Sequence, residues 1–181
     1  VQGMGPLTVH GHARLGRLLF AHGAGAGQQS PFMRQFVTSL AAQGVQVLCI
    51  DFPYMQQMQE TGKRRPPPPI AQTLDQFAQW YALLADLFDE PLWIGGKSMG
   101  GRVATLFASE QLCKGAVPGV VVTREEVVGY TLPPNAQLAW LKDGDHDFKP
   151  RRFSGLTPTV LIDEATQVAA SFVRAHGTGL T

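Results

Sequence analysis

The stretch that decides the fold is PLWIGGKSMGG, residues 91–101. It opens with an apolar run, Pro91 to Gly95, of the kind that forms a buried strand of a parallel sheet. The run leads into the pattern G-x-S-x-G, centred on Ser98, and a helical pattern then continues to Ala108. A strand, a sharp turn and a helix in this order present a serine hydroxyl at the end of a sheet. We therefore predict that Ser98 is a nucleophile rather than the serine of an ordinary turn.

The glycines around Ser98 have a steric role in such a turn. Gly96 and Gly100 lie two positions before and after the serine, where the backbone packs closely against a neighbouring strand and helix and only a very small residue fits. The helix directs the N–H groups of its first turn towards the serine, which favours negative charge developing there.

Gly96-Lys97-Ser98 also resembles the end of a phosphate-binding loop. That loop requires a glycine five positions before Gly96, and Pro91 occupies this position. The phosphate-loop interpretation therefore fails.

Predicted strands and helices alternate on both sides of the turn. The strands predicted from apolar runs are Thr8–His12, Arg17–Ala21, Val45–Ile50, Pro91–Gly95, Gly115–Val122 and Gln137–Leu141. The helices predicted from apolar spacing are Ser30–Gln43, Thr73–Phe88, Ser98–Ala108 and Pro158–Ala175. Phe52 to Pro69 has no clear period and contains a proline run, so we predict a long loop there. The alternation predicts an α/β fold, a single domain with a mostly parallel central sheet flanked by helices.

The composition limits the classes of function open to the chain. It has 181 residues, 16% of them charged, and a formal net charge of +1, so its charge does not favour a nucleic-acid partner. No apolar stretch approaches the roughly 18 residues of a membrane span, and no signal peptide is visible. The two cysteines, Cys49 and Cys113, make no disulfide framework. We expect a cytoplasmic protein with no membrane partner, and its oligomeric state stays open.

A glycine-rich turn, HGAG at residues 22–25, follows an earlier predicted strand. Hydrolases that use a strand–serine–helix turn place a second oxyanion donor at this point. We predict that the oxyanion hole consists of the backbone N–H groups of Met99 and Ala24, with Gly25 as the nearest alternative. An ordinary turn is the competing interpretation. His22 is predicted to have a structural role, because the base follows the nucleophile in this order of elements.

The predicted base is His146, in the stretch KDGDHDF at residues 142–148. This stretch follows a predicted strand and precedes the last helix, where the base of such a hydrolase belongs. The neighbouring Asp143, Asp145 and Asp147 suggest a metal site as an alternative. A second histidine is missing, and the calcium-loop pattern fails, so we expect neither a metal nor an organic cofactor.

Four motifs together resemble the α/β-hydrolase superfamily. They are HGAGAG at 22–27, DFPY at 51–54, GGKSMGGR at 95–102 and DGDHD at 143–147. They are most similar to the small dienelactone-hydrolase-like branch, whose members include a testis-expressed hydrolase-like protein and a chromatin-complex subunit of vertebrates. The resemblance runs over nearly the whole chain and implies a minimal single domain without a lid.

The chain departs from the family pattern at the third catalytic group. Family members place an aspartate after a strand that corresponds to Gly119–Val122, but no aspartate occurs between Ser98 and Asp143. Glu125 is then the best substitute acid, with Glu126 second. The alternative is that both glutamates are solvated residues at a helix start, where the helix dipole favours them.

The interval between Ser98 and His146 is also short for this fold. One strand–helix–strand unit takes about 30 residues or more, and the interval has to hold further strands as well. Val117-Pro118 and Val122-Thr123 are the points where family members carry extra residues. Either residues are absent from the sequence at these points or the protein has a true deletion, and we favour the first explanation.

Two classes of function follow. The first is a serine hydrolase that acts on a small carboxylic ester or a related acyl substrate through Ser98 and His146. The second is a non-catalytic scaffold with a hydrolase fold, which the missing acid favours. A dienelactone-type enzyme with a cysteine nucleophile is a third, weaker alternative, because the elbow holds Ser98 and neither cysteine is near it in the sequence. For the first function, Phe52–Pro69 and the loop after Gly25 are predicted to form the substrate pocket.

Overall fold

The computed structural model of the chain describes residues 4–113, 120–122, 141 and 143–177. The strands are β1 (Leu7–His10), β2 (Gly16–Ala21), β3 (Val45–Ile50), β4 (Leu92–Gly96) and β5 (Val120–Val122). The helices are α1 (Pro31–Ala42), α2 (Pro53–Thr61), α3 (Ile70–Leu87), α4 (Met99–Cys113) and α5 (Pro158–His176). The predicted α/β fold is confirmed.

The five strands form one sheet in the order β1-β3-β2-β4-β5. The pairs β2–β3, β2–β4 and β4–β5 are parallel, whereas β1 lies antiparallel to β3 at one edge. The parallel pairing places the carboxyl ends of β2, β3 and β4 at the same edge of the sheet. The sheet is therefore mostly parallel, as predicted.

Helices cover both faces of this sheet, which explains why its inner strands are continuously apolar. In β2, Leu18 and Phe20 pack in the core beneath α1 and α5. Leu19 and Ala21 point to the opposite core, beneath α2, α3 and α4. Alternate residues of a strand face opposite sides of a sheet, so every position of β2 between Leu18 and Ala21 is apolar.

The predicted loop over Phe52–Pro69 is wrong in its first half, which forms α2. The helix begins with Pro53 at its first position, where proline is well tolerated. It ends at Gly62, whose φ of 67° is the left-handed conformation of a helix C-cap and whose N–H donates to the Met58 carbonyl. Only two of its side chains, Tyr54 and Met55, are buried. Too few apolar residues therefore recur at helical spacing to predict a helix from the sequence.

The buried face of α5 also differs from the apolar positions in its sequence. Val160 and Val168 are 47% and 41% exposed, although both are apolar. The helix buries Ile162, Ala169 and other residues along a stripe turned towards α1. Leu161, Thr166, Ala170 and Val173 complete this stripe.

Several predicted features lie outside the described residues. They are Glu125, Glu126, the junction Val117-Pro118, the residue after Val122 and most of the predicted strand Gln137–Leu141. None of the helices in the described part of the chain is long and apolar enough to cross a membrane.

Candidate active site

The candidate site lies at the sheet edge where β2, β3 and β4 end. Parallel α/β sheets bind ligands beyond the carboxyl ends of their strands. His22 follows β2, Asp51 follows β3, and Lys97 and Ser98 follow β4. The strand pairing alone therefore brings the predicted nucleophile beside the predicted oxyanion turn.

Ser98 lies on a sharp turn between β4 and α4. Its φ is +52°, a conformation that residues other than glycine rarely adopt. A methyl group at Gly96 would lie 2.3 Å from the Gly100 carbonyl carbon, and one at Gly100 would lie 2.4 Å from the Ala21 carbonyl oxygen. Both glycines are thus required by close backbone contacts.

The imidazole of His146 lies directly over this serine. The Ser98 hydroxyl is 2.9 Å from Nε2 of His146, the separation of a hydrogen bond. In the neutral tautomer with the proton on Nδ1, Nε2 accepts from the hydroxyl. The structure therefore brings together two residues that are far apart in the chain and that the sequence assigns to nucleophile and base.

The loop that carries His146 has its own hydrogen-bonded frame. The Asp145 carboxylate accepts from the backbone N–H groups of Asp147 and Lys149, both at 2.8 Å. Gly144 and Pro150 form an isolated bridge, and Phe148 is buried with a φ of +59°. This frame fixes His146 at the top of the turn.

Asp147 and Lys97 pair beside the imidazole, a contact that sequence reasoning missed. Nζ of Lys97 lies 3.0 Å from Oδ1 of Asp147, and Oδ1 of Asp147 lies 3.3 Å from Nδ1 of His146. The hydrogen bond and charge of Lys97 hold the pKa of Asp147 below its ordinary value, with a smaller contribution from His146. Asp147 therefore stays a carboxylate.

The predicted oxyanion donors lie on two elements that meet at Ser98. Met99 is the first residue of α4, and the N–H groups of a first helical turn have no partner within the helix. Gly23 begins the turn after β2, and a methyl group there would lie 3.7 Å from Cβ of Ser98. Ala24 and Gly25 line the same cleft as Ser98.

Tyr54 holds this turn in place, a role that the sequence did not reveal. Its hydroxyl donates to the Ala24 carbonyl at 2.9 Å and lies 3.8 Å from Sδ of Met99. Burial, with a smaller contribution from the charge of Asp51, raises the pKa of Tyr54 to about 12. The hydroxyl is therefore a stable donor at neutral pH.

His22 is fully buried below the turn and makes two backbone hydrogen bonds. Its Nδ1 lies 2.6 Å from the Gly23 carbonyl, and its Nε2 accepts from the N–H of Phe52 at 3.1 Å. Burial lowers the pKa of His22, opposed by the Gly23 hydrogen bond and the charge of Asp51. The neutral ring joins the ends of β2 and β3, which is a structural arrangement.

A cleft of about 480 Å³ opens above Ser98 and His146. Its walls are the turn 23–26, the start of α1 at 30–32, the His146 loop and the first turn of α5. The sequence predicted that Phe52–Pro69 forms part of the substrate pocket. This prediction is wrong for the part of the chain that the structure describes, because no residue of this segment lines the cleft. Much of the segment is instead taken up by α2, where Tyr54 and Met55 are buried.

The alpha/beta hydrolase domain family matches residues 14–123 and 119–174 of the chain. The chain belongs to the α/β hydrolases. This membership supports a function of the hydrolase type and confirms the family resemblance. The two matched segments meet at residues 119–123, within the region where the sequence is short for the fold.

One solved structure of a hydrolase resembles this chain in fold, and a second gives a weaker match. Dienelactone hydrolase from Anabaena variabilis is 23% identical with a TM-score of 0.51, over 64% of this chain and 56% of that one. The monoacylglycerol lipase of Paleococcus ferrophilus is 18% identical with a TM-score of 0.47, over 66% and 42%. The chain thus spans about half the length of these proteins. Comparison with curated proteins gives no significant match.

The position after Val122, where the family pattern places the acid, lies outside the described residues. Glu125 lies outside them, so its predicted role stays a prediction. Asp143, the first aspartate after the interval, pairs with Arg151 instead. In the described part of the chain, no three His, Cys, Asp or Glu side chains cluster as metal ligands would.

Proposed function

We propose that the protein is a serine hydrolase that acts on a small carboxylic ester or a related acyl substrate. The observation that carries the proposal is the 2.9 Å separation between the Ser98 hydroxyl and Nε2 of His146, on a strained turn that faces an open cleft. A nucleophile and a base within hydrogen-bond reach are the signature of an activated serine.

The reaction follows from this geometry. Oγ of Ser98 attacks the acyl carbon while its proton passes to Nε2 of His146, and the carbonyl electrons move to the oxygen. The N–H groups of Met99 and Ala24, or of Gly25, hold this oxyanion. The carbon–oxygen bond to the leaving group breaks, and the leaving group takes the proton from Nε2. Water then loses a proton to Nε2 and attacks the acyl carbon. The bond between this carbon and Oγ of Ser98 breaks, Oγ takes the proton back from Nε2, and the acid is released.

The cleft favours a small acyl group. Its volume of about 480 Å³ lies at the lower end of ligand pockets, which run from about 300 to 1,000 Å³. Phe32, Pro158 and Ile162 supply an apolar wall beside Ser98. A short aliphatic or aromatic ester fits this combination of size and polarity.

The test is hydrolysis of p-nitrophenyl acetate, followed by release of p-nitrophenolate. Ser98→Ala and His146→Ala should each lower kcat about 1,000-fold or more, because either change removes a group that acts as part of one unit. Ser171→Ala is the control, since it removes an exposed hydroxyl of α5 that does not line the cleft. Full activity in Ser98→Ala would refute the assignment.

The scaffold function makes the opposite prediction for the wild-type protein. A scaffold needs no activated serine, so neither the wild type nor Ser98→Ala would hydrolyse the ester. Two further predictions rest on the sequence alone. One is a cytoplasmic location, and the other is a single domain with residues absent near 117–118 and 122–123.

A further inference from the structure

Lys97 occupies the variable position between Gly96 and Ser98, yet its side chain is only 15% exposed. Nζ lies 3.0 Å from Oδ1 of Asp147 and 5.0 Å from the centroid of the Phe32 ring. A lysine at a free position of a turn normally extends into solvent. Here its ammonium group is held between a carboxylate and an aromatic face.

The Asp147 carboxylate lies between this ammonium group and the imidazole. The same oxygen, Oδ1, is 3.0 Å from Nζ of Lys97 and 3.3 Å from Nδ1 of His146. The other ring nitrogen of His146 contacts the Ser98 hydroxyl at 2.9 Å. The four side chains therefore form one continuous row that ends at the nucleophile.

Contacts of the neighbouring residues Asp145 and Phe148 hold this row of side chains in place. Phe148 follows Asp147, is buried, and packs its ring 4.9 Å from that of Phe32. Phe32 thus contacts both the lysine and the loop that carries the carboxylate. The backbone N–H of Asp147 is held by the Asp145 side chain at 2.8 Å, so the carboxylate has little freedom to leave.

We propose that Asp147 and Lys97 are a positioning pair for His146, in which Asp147 supplies the negative charge at Nδ1 and Lys97 offsets part of that charge through its ion pair with the same carboxylate oxygen. The proposal rests on the proposed function of Ser98 and His146. A carboxylate at Nδ1 favours the tautomer that leaves Nε2 free to accept, and it stabilises the imidazolium that forms during attack.

Other charged groups near the imidazole are few in the described part of the chain. Nζ of Lys149 lies 3.8 Å from Oδ2 of Asp147 and is largely exposed. The Asp145 carboxylate is turned into its own loop by two backbone N–H groups. Lys97 keeps the pKa of Asp147 below its usual range, so the side chain is a carboxylate at neutral pH.

The sharpest test uses two variants with opposite expected effects on the His146 titration, followed by NMR of the ring protons. Asp147→Asn removes the anion that favours the imidazolium, so the titration midpoint should fall by about 0.5 pH unit. Lys97→Met removes the cation that offsets Asp147, so the midpoint should rise by a similar amount. Asp147 is half-exposed, which keeps both shifts small.

Kinetics give an independent readout. Asp147→Asn should lower kcat about fivefold with little change in KM, the scale of an exposed charge pair. Lys97→Arg keeps the positive charge and should keep the midpoint and kcat of the wild type. Lys149→Met is the matched comparison, because its ammonium group lies farther from the same carboxylate and is largely exposed, and it should shift the midpoint less than Lys97→Met does.

The outcomes separate this proposal from the function on which it rests. Unchanged midpoints in both variants, or shifts in the same direction, would overturn the positioning pair even if the wild type hydrolyses esters. Opposite shifts in a protein without hydrolytic activity would support the pair and refute the hydrolase. His146→Gln, which removes the signal, assigns the resonance.

Discussion

The hydroxyl group of Tyr54 holds the predicted oxyanion turn, HGAG at residues 22–25, through one hydrogen bond. Its O–H donates to the Ala24 carbonyl at 2.9 Å, and this hydrogen bond involves only the hydroxyl group of the side chain. Tyr54→Phe keeps the ring packing and removes only the hydrogen bond. We expect the free energy of unfolding to fall by about 1 kcal/mol and kcat to fall several-fold.

Tyr81→Phe is the control for this change, because it removes a hydroxyl from α3, which packs on α4 away from the cleft. Urea unfolding and ester hydrolysis measure the two effects. A Tyr54→Phe protein with unchanged kcat would show that the turn does not depend on this hydroxyl.

Individual site residues differed in how far the sequence revealed them. The sharp turn at Ser98 was predictable because its steric constraint is local and requires glycine at Gly96 and Gly100. The place of His146 in a loop before the last helix was also predictable, and the catalytic roles of both residues stay predictions. Tyr54, Lys97 and Asp147 were not predictable, since their contacts arise only when three distant segments meet at one sheet edge.

The strand–turn–helix element around Ser98 depends on close backbone packing. A methyl group at Gly100 would lie 2.4 Å from the Ala21 carbonyl oxygen, whereas a methyl group at Gly25 would meet nothing within 4 Å. Gly100→Ala should therefore force β2 and α4 apart and lower the melting temperature by at least about 5 °C.

Gly25→Ala is the matched control for that experiment. It adds the same methyl group in open space, so the melting temperature should stay within about 2 °C of the wild type. Equal melting temperatures for the two variants would contradict the packing described for the turn.

Elements with a long apolar period were predictable, and α2 was not. The strand β3 runs from Val45 to Ile50, as its apolar run predicts. In α2 only Tyr54 and Met55 are buried, so the periodic signal is lost. Both ends of α2 carry local helix signals, Pro53 at the first position and Gly62 at the C-cap. These signals alone did not predict a helix, because the apolar spacing between them is weak.

The whole molecule should lose stability at alkaline pH. Burial and the charge of Asp51 raise the pKa of Cys49 and of Tyr54 to about 12. The folded state therefore holds protons that the unfolded state loses above about pH 9 for the thiol and pH 10 for the phenol. Stability is full below these values and falls as the pH rises through the window up to about 12.

Urea unfolding between pH 8 and pH 10.5 measures this loss. The thiol alone should account for about 2 kcal/mol of the decrease at pH 10.5. Cys49→Ala should flatten the pH dependence by this amount, whatever it does to stability at pH 8. An equally steep fall in Cys49→Ala would place the titrating group elsewhere.

At the scale of the whole chain, the alternation of strands and helices predicted the α/β architecture, because covering both faces of a parallel sheet requires that order. The same pattern loses definition after β5, where short apolar runs do not distinguish strand from helix. Glu125 falls in that stretch, so the sequence does not decide between Glu125 and Glu126 as the catalytic acid. The contact between Asp147 and His146 depends on the conformation of their loop and became visible only in the structure.

The central claim is that His146 activates Ser98 as a nucleophile, and covalent labelling tests it most directly. An alkyl fluorophosphonate reacts when the serine oxygen displaces fluoride from phosphorus and forms a stable phosphonate ester. Mass spectrometry should locate one label on the peptide that contains Ser98, with none in Ser98→Ala and far slower labelling in His146→Ala. A wild-type protein that stays unlabelled, or that is labelled equally in Ser98→Ala, would contradict the claim.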